Sequence, residues 1–103
     1  PVKAISHITG GGFYENIPRM MTDGLTAKIE KAAVPVLPVF EVMAKTGNIP
    51  ERDMFNTFNM GVGMCVAVDK NDVHKALAAI EAAGEKAVVL GEIVSGDEGV
   101  ILC

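Results

Sequence analysis

The sequence predicts one mixed α/β (α+β) domain over residues 1–103, a mixed sheet carrying helices and partly ferredoxin-like in order. Three observations point there. Strand-type and helix-type segments alternate along the chain, as they do when helices cover a sheet. The connections between them are too short for a full doubly wound sheet. From Met60 onward the order reads strand, helix, strand, strand, a piece of the ferredoxin-like pattern. A chain of 103 residues, half of them hydrophobic, is long enough for one modest core and too short for two.

The elements follow in order. Val2 to Ile8 mixes apolar and polar positions as a strand does. After Gly10-Gly11-Gly12, a short helix runs from Phe13 towards Met20, cut near Pro18, whose ring is tolerated only at a helix start. Asp23-Gly24 is a turn signal, and Leu25 to Glu30 alternates as a half-buried strand. Pro35 and Pro38 hold the chain extended, and Pro38 opens a helix over Val39–Thr46 with Gly47 as its stop. Glu51 and Asp53 begin a further short helix, whose apolar face is Met54, Phe55 and Phe58.

Met60 to Val68 is short, apolar and β-rich, and predicts a central buried strand. Asp69 caps the next helix, with Asp72 as a short-armed capping-box partner. Its stripe is Val73, Ala76, Leu77 and Ile80, and Gly84 ends it. His74 falls beside the stripe among polar neighbours, the place of a solvated surface histidine. Ala87 to Val94 is a strand, Gly96 to Gly99 a turn, and Val100 to Cys103 a closing strand. The chain begins at Pro1 directly before a strand and ends inside one, which predicts a fragment.

A net charge of −4 without any Lys/Arg cluster argues against nucleic-acid binding, which needs a basic face. A single phosphate on a small molecule remains within reach of backbone amides and one or two arginines, of which the chain has Arg19 and Arg52. Cys65, Cys103, His7 and His74 lack metal-ligand spacing, so no metal site is expected. Cys65 reads as a small buried hydrophobe. No signal peptide or membrane-crossing run is visible, and the cytosol is the default location.

The most informative stretch is His7-Ile8-Thr9-Gly10-Gly11-Gly12, followed by Phe13-Tyr14-Glu15-Asn16-Ile17-Pro18-Arg19. Consecutive glycines allow φ > 0 and let a ligand approach the backbone with no Cβ in the way. A helix starting there adds unpaired N–H groups suited to an anion. A tight turn with nothing bound explains the glycines equally well. No Lys-Ser/Thr follows, so this is not a Walker loop, and Glu15 replaces the third glycine of a dinucleotide fingerprint. The second unusual stretch is Thr57-Phe58-Asn59-Met60-Gly61-Val62-Gly63-Met64. Glycines at the mouth of a strand imply a bulge or a close backbone approach. The Asn59 amide suits a ligand or, more simply, a turn cap.

Four strings, His7 to Gly12, Glu15 to Arg19, Gly47 to Pro50 and Thr57 to Met64, agree in order and spacing with one family. Across essentially the whole chain the sequence resembles the C-terminal domain of phosphoribosylformylglycinamidine cyclo-ligase (aminoimidazole ribonucleotide synthetase). The resemblance implies a purine-biosynthesis enzyme that uses ATP and Mg2+ to close the imidazole ring of formylglycinamidine ribonucleotide. It implies a homodimer with an N-terminal domain that supplies the acids holding Mg-ATP. Nothing here corresponds to that domain or to the family's serine/glycine/asparagine-rich loop, so the isolated chain is expected to be inactive and to hold no tight cofactor.

On the matching positions, Gly10, Gly11 and Gly12 are expected to present amides to a phosphate-bearing ligand, flanked by Thr9 and by His7. His7 is a candidate proton carrier or oxyanion donor, or a strand histidine bonded to a carbonyl. Asn16 and Arg19, one helical turn apart, are expected to bind substrate, with an Arg19–Glu15 pair as the plain alternative. Asn59 and Gly61 form the opposite wall. A different class of function is a stand-alone ferredoxin-like module that binds a small anionic ligand or a partner protein. A third reading makes Met54, Phe55, Phe58, Met60 and Met64 core, or a docking face.

Overall fold

The computed structural model describes residues 2–103; Pro1, where the sequence suggested an abrupt start, lies outside the described residues. Strand β1 (Val2–His7) runs into helix α1 (Gly12–Asn16) and a 3-10 turn at Ile17–Met20. The α-helix ends one residue before that turn, and Pro18 sits in the turn's first positions, where its missing N–H costs nothing. Strand β2 (Leu25–Ile29) follows, then α2 (Pro38–Gly47) and α3 (Glu51–Phe55). Strand β3 (Met64–Val68), helix α4 (Val73–Ala82) and strands β4 (Gly91–Ser95) and β5 (Val100–Leu102) complete the order.

Two small sheets form, among the described residues. Strand β1 pairs antiparallel with β3, with Ser6 opposite Cys65 and His7 opposite Met64. In the other sheet β2 lies between β4 and β5, antiparallel to the first and parallel to the second. Strands β4 and β5 therefore do not form a hairpin. The Gly96–Gly99 connection passes Thr26, a wholly buried residue whose Oγ1 accepts the Glu98 N–H at 3.3 Å. Because β3 lies in a different sheet from β4 and β5, the β-α-β-β continuity expected from Met60 onward does not form. The α+β class stands.

Three boundaries move for identifiable reasons. Helix α2 includes Gly47, and Asn48 takes the left-handed position instead (φ 51°), one of the few side chains that tolerates it. Strand β3 starts at Met64 rather than Met60, since Met60 and Gly61 have positive φ (55° and 102°) and turn the chain. It is no central buried strand: Met64 and Val66 face outward, and only Cys65 is fully buried. Strand β4 begins at Gly91, leaving Val88 and Val89 outside it and exposed.

The core gathers Ile8, Phe13, Ile17, Met54, Phe55 and Met60 with residues of β2 and β5. Phe13 and Phe55 meet edge to face, 5.2 Å between centroids, and lock α1 onto α3. Of the methionine and phenylalanine stripe, Met54, Phe55 and Met60 are core, Phe58 packs against it, and Met64 is exposed. In α4, Val73, Ala76, Leu77 and Ile80 are half-buried while His74 and Lys75 are exposed, as the helical spacing predicts. Asp69 Oδ1 accepts the Asn71 N–H at 2.9 Å, capping the turn that leads into α4. Asp72 makes no cap bond.

Candidate functional site

Strand β1 ends at the triple glycine, and each glycine there has a different reason to be one. Gly12 (φ 61°) lies against α3 so closely that a Cβ would sit 2.0 Å from the Phe55 carbonyl oxygen. Gly11 (φ 100°) turns the chain into α1 beside the Glu15 side chain. Gly10 has no left-handed φ and meets open space where a side chain would go. The N–H of Gly12 donates to Thr9 O at 3.0 Å, closing the turn. Among the described residues, the N–H groups of Gly10 and Gly11 have no acceptor. Helix α1 spans five residues, too short for a substantial dipole, so any affinity for an anion comes from the loop amides.

Asn16 is 2% exposed and reaches back into this loop. Its Nδ2 donates to the carbonyls of Thr9 (3.1 Å), Gly10 (3.2 Å) and Gly12 (2.9 Å). Its Oδ1 accepts from Arg19 Nη1 at 3.2 Å and from Thr9 Oγ1 at 3.4 Å. The Ser6 hydroxyl donates to the Asn16 carbonyl at 2.8 Å, tying the end of α1 to β1. Arg19 thus engages Asn16 rather than Glu15.

The second glycine turn lies at the same end of the β1–β3 sheet. The Ile8 N–H donates to Gly63 O at 2.8 Å, which extends the ladder and brings Gly63 beside the glycine loop. Asn59 Oδ1 accepts the Gly61 N–H at 2.9 Å, an Asx turn that fixes the chain before β3. Gly61 is held against Pro35, whose carbonyl oxygen would stand 2.5 Å from an added Cβ. Gly63, like Gly10, faces open space. The two stretches singled out in the sequence therefore meet in space. Asn59 and Gly61 frame the second turn, and Thr9, Gly10 and Gly63 are exposed where the stretches meet.

His7 stands just before the loop, exposed, opposite Met64 and on the same outward sheet face as Ile5. No side-chain hydrogen bond holds it among the described residues. Cys65, on the inner face of the same sheet, is buried, and burial pushes its thiol up from 9.0 to about 11. It is an inert packing residue at neutral pH. Arg52 of α3 lies over the Tyr14 ring, 4.1 Å from its centroid, and with Glu98 and β5 lines an open groove of about 480 Å³. Nothing in the spacing of Tyr14 and Arg52, 38 positions apart, announces that pairing.

No helix among the described residues is long and apolar enough to cross a membrane, and no group of three or more His, Cys, Asp or Glu side chains is placed to hold a metal ion.

The family described as AIR synthase related protein, C-terminal domain, matches residues 1–103. A phosphoribosylformylglycinamidine cyclo-ligase of Agathobacter rectalis is 56% identical over 101 residues, which cover 98% of this chain and 30% of that protein. Proteins of the same name from Lachnospira eligens and Lachnoclostridium phytofermentans are 54% and 53% identical over 102 residues, again 99% of this chain and 30% of theirs. The chain thus spans about 30% of the length of the curated relatives it matches.

Proposed function

Because this chain belongs to the AIR synthase related proteins, as their C-terminal domain, we propose that it forms part of a phosphoribosylformylglycinamidine cyclo-ligase of purine biosynthesis. In the proposed reaction ATP phosphorylates the formamide oxygen of formylglycinamidine ribonucleotide. An amidine nitrogen then attacks the activated carbon, phosphate leaves, and aminoimidazole ribonucleotide forms alongside ADP. The protein's work in such a reaction is positioning and charge stabilisation.

In this reading Gly10 and Gly11 contact a phosphate-bearing substrate through their backbone amides, and Thr9 flanks them. Gly12 closes the turn behind them with its N–H on Thr9 O, and Asn59 and Gly61 shape the opposite wall. His7 donates to the developing oxyanion or carries a proton. Asn16 and Arg19 serve the same substrate. A further domain supplies the acids that hold Mg-ATP, the enzyme is a homodimer, and it works in the cytosol. The observation that carries the reading is identity above 50% along the whole chain with cyclo-ligases, joined to the convergence of both glycine stretches at one end of the β1–β3 sheet.

The test is a chimera in which this chain replaces the matching segment of the Agathobacter rectalis enzyme. It should convert formylglycinamidine ribonucleotide to the imidazole nucleotide only when ATP and Mg2+ are present. A folded chimera that forms no product would sink the assignment. The 103-residue chain alone should show no Mg-dependent heat of ATP binding by titration calorimetry; tight binding would favour a free-standing anion-binding module.

A further inference from the structure

We infer that Asn16 is a positioning residue for the glycine loop, and that Arg19 acts through Asn16 by fixing which way its carboxamide faces. The inference deepens the proposed function and rests on the reading that the loop meets the substrate.

A primary amide has two N–H donors at one end and an acceptor at the other. At Asn16 the donor end faces the carbonyls of Thr9, Gly10 and Gly12, all within 3.2 Å. Those oxygens share its two protons and are drawn to the inner side of the loop. With the carbonyls held inward, the N–H groups of Gly10 and Gly11 are left on the side where Gly10 meets open space. Three consecutive glycines have no side chains to choose one such conformation from the many they can reach. The choice is made from outside the loop, by a side chain 2% exposed and rooted in α1.

The acceptor end explains Arg19. A reversed carboxamide would set Oδ1 against three carbonyl oxygens and Nδ2 against the guanidinium, so the contacts to the loop carbonyls and to Arg19 would all become like pairs. Arg19 Nη1, a donor with no acceptor capacity, donates to Oδ1 at 3.2 Å and excludes that orientation, whereas the Thr9 hydroxyl, which donates here at 3.4 Å, could accept from either end. Arg19 is itself exposed, so it orients Asn16 without being part of the core.

Asn16→Asp is the diagnostic change. It keeps shape and the Arg19 contact but removes both donors that face the carbonyls. In the 103-residue chain, hydrogen exchange of the Gly12 and Glu15 amides should accelerate about tenfold relative to Ala27, whose N–H bonds Gly99 O away from the loop. In the chimera, KM for the ribonucleotide should rise about tenfold with kcat changed less, the pattern of lost binding rather than a smaller folded fraction.

Arg19→Met, at an exposed position, covers the case in which the Asp variant fails to fold. It should raise the same KM about threefold and speed the same amides, an effect of the size of one surface hydrogen bond. In an Asn16→Ala background, where no carboxamide is left to orient, the Arg19→Met effect on KM should vanish, because the two act in series. Additive effects would overturn the relay and make Arg19 a direct substrate contact. Unchanged exchange at Gly12 and Glu15 in both variants would overturn the positioning role. The exchange readout needs no turnover, so it stands apart from whether the chimera is a cyclo-ligase.

Discussion

The loop Gly10–Gly12 and the turn Met60–Gly63 look alike in sequence and are built alike in space, yet each holds two kinds of glycine. Gly12 and Gly61 are wedged against backbone carbonyls, of Phe55 and Pro35. Gly10 and Gly63 face open space. In the first kind the protein itself occupies the volume of the missing Cβ. In the second that volume is left over, which is what a ligand approaching the main chain requires. A glycine string therefore mixes packing and access, and only the surroundings separate them.

Substitutions by alanine should separate the two kinds by size of effect. Gly12→Ala should be the most damaging. A Cβ 2.0 Å from the Phe55 carbonyl forces α1 off α3 and disturbs the Phe13–Phe55 contact. Overpacking combined with a left-handed backbone should cost about 3 kcal/mol or more, read by urea denaturation of the chain. Gly61→Ala should follow at about 2 kcal/mol, from the Pro35 carbonyl and a φ of 102° that few side chains accept. Wild-type stability in either variant would mean that these glycines are not there for packing.

Local chemistry made much of this legible. The glycine and proline punctuation located α1 and α2, and helical spacing gave the less exposed face of α4, while the turn at Met60 and Gly61 reads in sequence as part of β3. What it could not show were events between distant segments. Strand β5 pairs with β2 rather than β4 because the Gly96–Gly99 connection crosses at Thr26, a residue 72 positions away in the case of its Glu98 bond. Strand β3 sits beside β1 and apart from β4 and β5, which no local pattern encodes. At the site, the two glycine stretches and Asn16, Arg19 and Asn59 were all visible as residues. Their division of labour was not. Asn16 is a plain polar residue in sequence, and only its three carbonyl partners make it the organiser of the loop.

Asn59→Ala sharpens the turn side of the comparison. It removes the Oδ1 that accepts the Gly61 N–H at 2.9 Å, in a half-buried setting where water can partly replace it. A loss of about 1 kcal/mol is expected, the ordinary net worth of such a bond. In the chimera turnover should also fall, because the turn beside the loop loosens. A stability loss with unchanged kinetics would confine Asn59 to capping.

The smallest effect on stability belongs to Gly10→Ala, and it is the one able to break the comparison outright. Gly10 has no positive φ, and its added methyl would meet nothing within 4 Å, so the chain should fold with a stability within about 0.5 kcal/mol of the original. The same methyl would stand where a ligand must approach the loop amides. In the chimera KM for the ribonucleotide should then rise about tenfold, as when one charge-assisted contact is lost. A variant that is both as stable and as active as the parent would show that open space at a glycine carries no information about a ligand. The loop would then be a turn like the one at Gly61, with every glycine in it answering to the chain's own packing.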